Sequence, residues 1–438
     1  MSCPVPEPTS VATRVRSRLA TGDPVLRGAG PFRSLWYANA LSLTGGEGYE
    51  ITLLLLASAA YGHVLDVGWL GVAFALPAIV VSPLVGAWLD RARAARGQAM
   101  RTADLARAVL ATSMALWLMH APDVSLFIYL GAAAITVFDV VFSTALRASL
   151  PGLLRGDGPE GPQRLTAANA MISSQTTMAQ ILAPPLFIFA LQYLTPVTVV
   201  LLNAATYLAS YVLLRRYAAA VTARVGPTRP AQRETEPGYL TLLRDGFSVI
   251  RRDDVALAVL IAYAITAGVG FALLLSVPRL VLDRGLPALT VGLSFSVLAG
   301  GALAGARLAR RPSLMKRSIP ILMGDPLARA AVVVVLAVTA NPVTVVAGFL
   351  VIGVCAGIAN VSRVTMIQLR FDDAAQGRAM SFYVVAHQIL NPLTPVLWTA
   401  AAAAYGITAS YVAIAGGFVV ASLVLVTSRG VRREGMRP

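Results

Sequence analysis

Charge is what this sequence has least of. Charged residues fill 13% of its 438 positions, while 57% are hydrophobic and mean hydropathy is +0.70. An ordinary soluble domain carries roughly 25% charged residues. A soluble chain of this length needs two or three domains and the polar surface to coat them. That surface is missing, which excludes a soluble enzyme, and the apolar excess excludes a disordered chain. Cysteine is nearly absent: Cys3 lies in the N-terminal tail and Cys355 inside an apolar run, so no disulfide framework is available. The three histidines, His63, His120 and His387, show no ligand spacing with those cysteines, so no metal is expected. No glycine-rich phosphate loop ends in Lys-Ser/Thr, so ATP is not expected to act directly. A Ser/His/Asp nucleophile arrangement is likewise missing, and neither catalytic residues nor a cofactor are expected.

What the chain does have is long apolar runs. A bilayer-crossing helix needs about 20 apolar residues, and twelve such runs occur: 36–61, 68–89, 98–119, 124–146, 166–191, 197–214, 255–277, 288–308, 319–340, 343–361, 378–404 and 409–427. They are continuous rather than alternating, so they read as helices and not barrel strands. The expected fold is all-α and integral to the membrane. Twelve transmembrane helices would form two six-helix bundles, 32–214 and 255–428, with a tail at 1–31, a linker at 215–254 and a tail at 429–438, all three cytoplasmic.

The formal charge of +15 invites a nucleic-acid reading, yet only Lys316 among the 36 basic residues is a lysine. With the N-terminus inside, the outside loops hold two of the 36, Arg279 and Arg284, and the other 34 fall on the cytoplasmic side. That is a positive-inside pattern, so the charge reports topology in a multi-pass cell membrane protein, with no nucleic-acid partner expected.

The two halves echo one another. Gly86-Ala-Trp-Leu-Asp-Arg91 is matched by Gly305-Ala-Arg-Leu-Ala-Arg310, and Asp104-Leu-Ala-Arg107 by Asp325-Pro-Leu-Ala-Arg329. Gln180-Ile-Leu-Ala-Pro184 is matched by Gln388-Ile-Leu-Asn-Pro392. Echoes in one order, offset by 208 to 222 residues, indicate a 6+6 repeat.

The stretch Gly86-Ala-Trp-Leu-Asp90-Arg91-Ala-Arg93-Ala-Ala-Arg96 resembles the signature of the major facilitator superfamily between spans two and three. Phe32-Arg33-Ser34-Leu35-Trp36, Ala103-Asp104-Leu105-Ala106-Arg107-Ala108, Thr166-Ala167-Ala168-Asn169-Ala170 and Asp245-Gly246-Phe247 are similar to its drug and siderophore exporter branch. The resemblance implies a monomeric carrier that exchanges protons for a small molecule. Two stretches depart from the antiporter pattern. Ala183-Pro184-Pro185-Leu186-Phe187 stands where many antiporters carry a Gly-Pro-Gly-Gly type motif, and span four has no midmembrane arginine, only Arg147 at its inner end.

Within the spans, ionisable residues are costly and mark function. Glu47 and Glu50 lie three apart on one face of span one, inside Thr44-Gly45-Gly46-Glu47-Gly48-Tyr49-Glu50. Two close carboxylates resist double ionisation, so they face water or share a proton, and either arrangement suits proton coupling. Asp139 in span four and His387 in span eleven are further coupling or substrate candidates. Arg363, near the end of span ten, is expected to reach the inner surface along its own apolar stem. Gly86, Asp90, Arg91, Asp104 and Arg107 form an expected cytoplasmic gate, with Gly86 allowing close helix approach and the charges pairing across the loop. Tyr49, Phe138, Gln175, Met178, Asn203, Tyr207, Asn360, Tyr383, Asn391 and Trp398 are the expected lining of a pocket for bulky amphipathic substrates. The leading reading is export of drug-like or natural-product molecules. Proton-coupled uptake, and a transporter-like receptor or lipid-modifying enzyme, are the alternatives.

Overall fold

The computed structural model describes residues 30–59, 65–91, 95–120, 126–154, 161–225, 239–311, 314 and 317–435. Most of the expected N-terminal tail, His63, residues 92–94 and the proline-rich part of the linker lie outside these residues. Among the described residues the regular structure is helical. The first half contains α1 (Gly30–Ala59), α2 (Leu65–Arg91), α3 (Arg96–His120), α4 (Leu126–Leu154), α5 (Gly161–Ala190) and α6 (Pro196–Val225). After the linker helix α7 (Tyr239–Arg251) come α8 (Asp254–Asp283), α9 (Leu289–Leu308), α10 (Ser318–Val338), α11 (Pro342–Arg370), α12 (Asp373–Gln388), α13 (Leu393–Thr427) and α14 (Arg429–Gly435).

Eight stretches among the described residues are long and apolar enough to cross a membrane. The twelve expected runs reduce to eight for two reasons. Runs one, three and five do form helices, α1, α3 and α5, but their polar residues keep them below the apolar threshold. The last two runs count as one stretch, residues 378–427, although α13 is broken within it at Gly406, whose φ of 83° suits a residue without Cβ. Much of the polar content of α1, α3 and α5 is spent on contacts inside the protein.

Local sequence fixes several helix starts. Asp253 caps α8, its Oδ1 accepting from the amides of Val255 and Ala256 at 3.0 and 2.9 Å. Its other oxygen pairs with Arg370, which also binds Glu434 at 2.8 and 2.9 Å, so α8, α11 and α14 are joined at one corner. Asn341 caps α11 ahead of Pro342 in the same way.

Successive long helices alternate in direction. We term the end where α1, α3, α5, α8 and α10 begin the near end, and the opposite end the far end. The halves meet through α1 on α8, α2 on α13, and α5 on α9. The close contacts crossing between them sit toward the far end. Arg279 donates to the carbonyl of Ser58 at 3.2 Å. A Cβ at Gly71 would stand 2.9 Å from Pro395, and one at Gly292 only 2.7 Å from the backbone of Pro185. Ser296 donates to the Ile181 carbonyl at 2.5 Å. Arg279 and Arg284, the two exceptions to the charge pattern, are both employed there. Arg279 also pairs with Asp283, and Arg284 donates to the Ala337 carbonyl and to Thr408 at 2.5 and 2.8 Å.

Toward the near end the same faces part. Eighteen residues, five full turns, separate Gly68 from Gly86, so both lie on one face of α2 about 27 Å apart. A Cβ at Gly68 would meet Thr399 and Val396 of α13, whereas one at Gly86 would have nothing within 4 Å. Among the described residues, the halves are closed at the far end and open at the near end.

Candidate functional site

The polar residues of α3 are buried within the first half. Arg107, 3% exposed, extends one terminal nitrogen to Asp104 on its own helix and the other to Asp139 on α4. Asp104 receives a further hydrogen bond from Ser210 of α6 at 2.6 Å. The guanidinium lies 4.4 Å above the ring of Tyr207 and 4.7 Å from that of Phe142. Such a cation–π cage holds arginine where water is excluded. Two carboxylates share one guanidinium, so the cluster carries a negative excess.

Asp139 is the open end of that cluster, with its side chain 41% exposed while Arg107 behind it is buried. Glu50 is exposed and Glu47 half-buried on α1, and the other faces of that helix are occupied. Gly45 presses on Asn203 and Thr206, Gly48 on Phe187, and the Tyr49 hydroxyl lies 3.4 Å from the sulfur of Met114. The remaining face carries Glu47 and Glu50, which are within electrostatic range of each other, and Glu50 is also within range of Asp139. The first half therefore presents three carboxyl groups at mid-depth, and among the described residues only Asp139 has a basic partner.

The second half repeats this scaffold. Arg329 binds Asp325 Oδ1 through Nε and Nη2 at 2.9 and 2.8 Å, and its guanidinium faces the ring of Phe418 at 5.9 Å. Near it, Arg363 of α11 lies 4.1 Å over the ring of Tyr263. That ring stacks on Tyr383 at 4.7 Å and on the exposed His387 at 5.4 Å. Tyr383 donates to Oδ1 of the exposed Asn360 at 2.6 Å.

Of the expected gate residues, the structure places Gly86 and the side chains of Asp104 and Arg107. A Cβ at Gly86 would have no described atom within 4 Å. Asp90 and Arg91 end α2, but their side chains lie outside the described residues. Asp104 and Arg107 pair within the first half, about 12 and 16 Å along α3, rather than with the loop. Asp139 pairs with Arg107. Both lie thirteen residues from the far ends of their helices, a depth match readable from the sequence.

Several expected pocket residues are packed into the protein in this structure. Tyr49, Asn203, Tyr207 and Trp398 are buried. Gln175 is also buried, accepting from Asn39 at 2.9 Å and donating to the Trp36 carbonyl at 2.7 Å, so it clamps α5 to α1. Phe138 packs beside the near-end core of the first half. Met178 is exposed on α5, and Asn391 is half-buried in the kink between α12 and α13. Of the ten, Asn360 and Tyr383 join a polar cluster beside Arg363. Arg363 itself does not reach the inner surface: it is buried against Tyr263, because the aromatic stack gives its guanidinium a face to lie on.

Similarity to known proteins agrees with this architecture. The family model described as Major Facilitator Superfamily matches residues 35–328. No curated protein matches the chain. Among solved structures, the nucleoside transporter NupG superposes with a TM-score of 0.63 at 12% identity, over 93% of this chain and 100% of that one. A mutant form of the peptide transporter POT gives 0.67 and 13% over 92% and 95%. A bacterial homolog of the human lysosomal transporter Spinster, inward-facing and unoccupied, gives 0.67 and 13% over 94% and 100%. At this identity the likeness concerns the fold. The chain belongs to the major facilitator superfamily: it is a multi-pass membrane transporter rather than an enzyme, with a small-molecule substrate.

Proposed function

We propose that this superfamily member works as a proton-coupled exporter of drug-like or natural-product molecules, in the drug and siderophore exporter branch. Twelve crossings in the cell membrane, near end cytoplasmic, suit the distribution of its basic residues, since 34 of 36 fall on that side. The observation that carries the reading is the open, mid-depth face bearing Glu50, Glu47 and Asp139. A carboxyl in that position exchanges its proton for a cationic substrate, so that occupancy by one excludes the other. With the near end open, substrate enters from the cytoplasm; closure there and opening at the far end would release it outside and admit a proton.

Everted membrane vesicles loaded with a proton gradient test this. Addition of a cationic amphipathic dye should release protons from vesicles carrying the wild-type chain, and Glu50→Gln should abolish release while leaving the amount of folded protein unchanged. Full release by Glu50→Gln would remove the residue from the mechanism. Proton uptake in the direction of the substrate would instead establish import.

A further inference from the structure

Arg363 stands out among the buried charges because no carboxylate among the described residues touches it. It is 6% exposed, its Nε is buried without a hydrogen-bond partner, and its ring contact with Tyr263 occupies one flat face. The acid within electrostatic range is Asp325, whose Oδ1 is already bound twice by Arg329. His387 also lies within range of Arg363 and adds no negative charge. Two guanidiniums thus share one carboxylate. An unpaired buried cation is costly, and a guanidinium edge is shaped to take a carboxylate through two parallel hydrogen bonds.

The neighbours of Arg363 also supply donors. Because Tyr383 donates to Oδ1 of the exposed Asn360, the amide Nδ2 of Asn360 keeps two N–H groups to offer. Asn360 and His387 are exposed beside the buried arginine. Tyr263 and Tyr383 are buried and stacked on each other, and His387 is the exposed member of the group that an aromatic or planar body would meet.

We infer that Arg363, with Asn360 and the Tyr263–Tyr383–His387 stack, forms a subsite for the carboxylate of an organic anion, so that the transported molecule is amphoteric. Its cationic end would face Glu50 and Asp139, and its anionic end Arg363. The amphoteric assignment rests on the transport reading; the anion subsite itself does not.

The test uses the purified full-length chain in detergent, with thermal unfolding followed against benzoate, neutral benzamide and benzylamine. Benzoate should raise the unfolding temperature saturably, and benzamide should not. Arg363→Gln should weaken the half-saturating benzoate concentration at least about tenfold, as loss of charge-assisted hydrogen bonds implies, while the response to benzylamine persists. Arg363→Lys keeps the charge without the fork; it should retain part of the benzoate response and serves where the glutamine variant does not fold. No saturable benzoate shift in the wild type, an equal shift with benzamide, or unchanged benzoate response in both variants would each overturn the subsite. Proteoliposomes separate the two ideas. An arginine-dependent benzoate response with no amine-driven proton movement defeats the transport reading alone, and amine-driven proton movement with an arginine-independent benzoate response defeats the subsite alone.

Discussion

The two halves share one scaffold, and their mid-depth clusters carry opposite charge. Asp104 and Arg107 on α3 correspond to Asp325 and Arg329 on α10, and each arginine leans on an aromatic ring, Tyr207 in one half and Phe418 in the other. The decoration then diverges. At the repeat offset of 221, Asp139 is replaced by Asn360 and Phe142 by Arg363. One half gains a carboxylate for its arginine; the other loses that carboxylate and gains a second guanidinium. Duplication thus preserved the ion pair that holds the helices together and left the open-facing positions free to change sign. The buried pair is structure in both halves, and the difference between the halves is where a substrate is read.

The largest expected effect comes from breaking the shared element. Arg107→Gln leaves Asp104 and Asp139 buried or half-buried without their cation, and breaking a buried pair costs about 3–5 kcal/mol. Arg329→Gln strands only Asp325, and Arg363 remains within electrostatic range to compensate it. Thermal unfolding in detergent should therefore show the larger loss for Arg107→Gln. Equal losses would mean that Asp139 contributes nothing to the first cluster.

Next come the glycines of α2, which compare its far and near ends. Gly68→Leu forces a side chain against Val396 and Thr399, and overpacking of this kind costs about 1–3 kcal/mol. Gly86→Leu meets open space and should change stability by less than about 0.5 kcal/mol. Its effect should appear in transport instead, because closing the near end would bring that face of α2 against the second half. A Gly86→Leu chain that unfolds as the wild type does and still transports at full rate would show that this face never closes.

How much of this was legible in the sequence depends on what each residue's position encodes. Apolar length places α2, α4, α6 and α8 without ambiguity, since lipid and core impose the same requirement on every face. The halves were legible through Asp104/Arg107 and Asp325/Arg329, whose spacing within one helix turn is a local property. Depth was partly legible: Arg107 and Asp139 stand at matching distances from the far ends of antiparallel neighbours. Azimuth was not. Tyr49, Tyr207 and Trp398 look like pocket aromatics, but on a helix apolar all round nothing in the sequence says which face meets a neighbour. Glu50 and Arg363 show the same limit from opposite sides, since one is exposed and the other buried, and only packing decides.

The smallest loss of stability should come from restoring the symmetry. Asn360→Asp places a carboxylate three residues before Arg363 on the same helix, recreating in α11 the acid that α4 has at Asp139. Pairs at this spacing contribute about 0.2–0.5 kcal/mol on exposed helix faces, and a partner for the buried Arg363 adds to that, so the unfolding temperature should rise rather than fall. Ligand recognition should move a great deal. The new carboxylate would occupy the guanidinium and turn the outward amide donors into acceptors, so the benzoate response should fall as it does in Arg363→Gln, while the response to benzylamine is kept or strengthened. The second cluster would then hold two carboxylates for two guanidiniums and lose its positive excess. If the second half still responded to benzoate with Asp at 360, the unpaired arginine would not be what distinguishes it from the first.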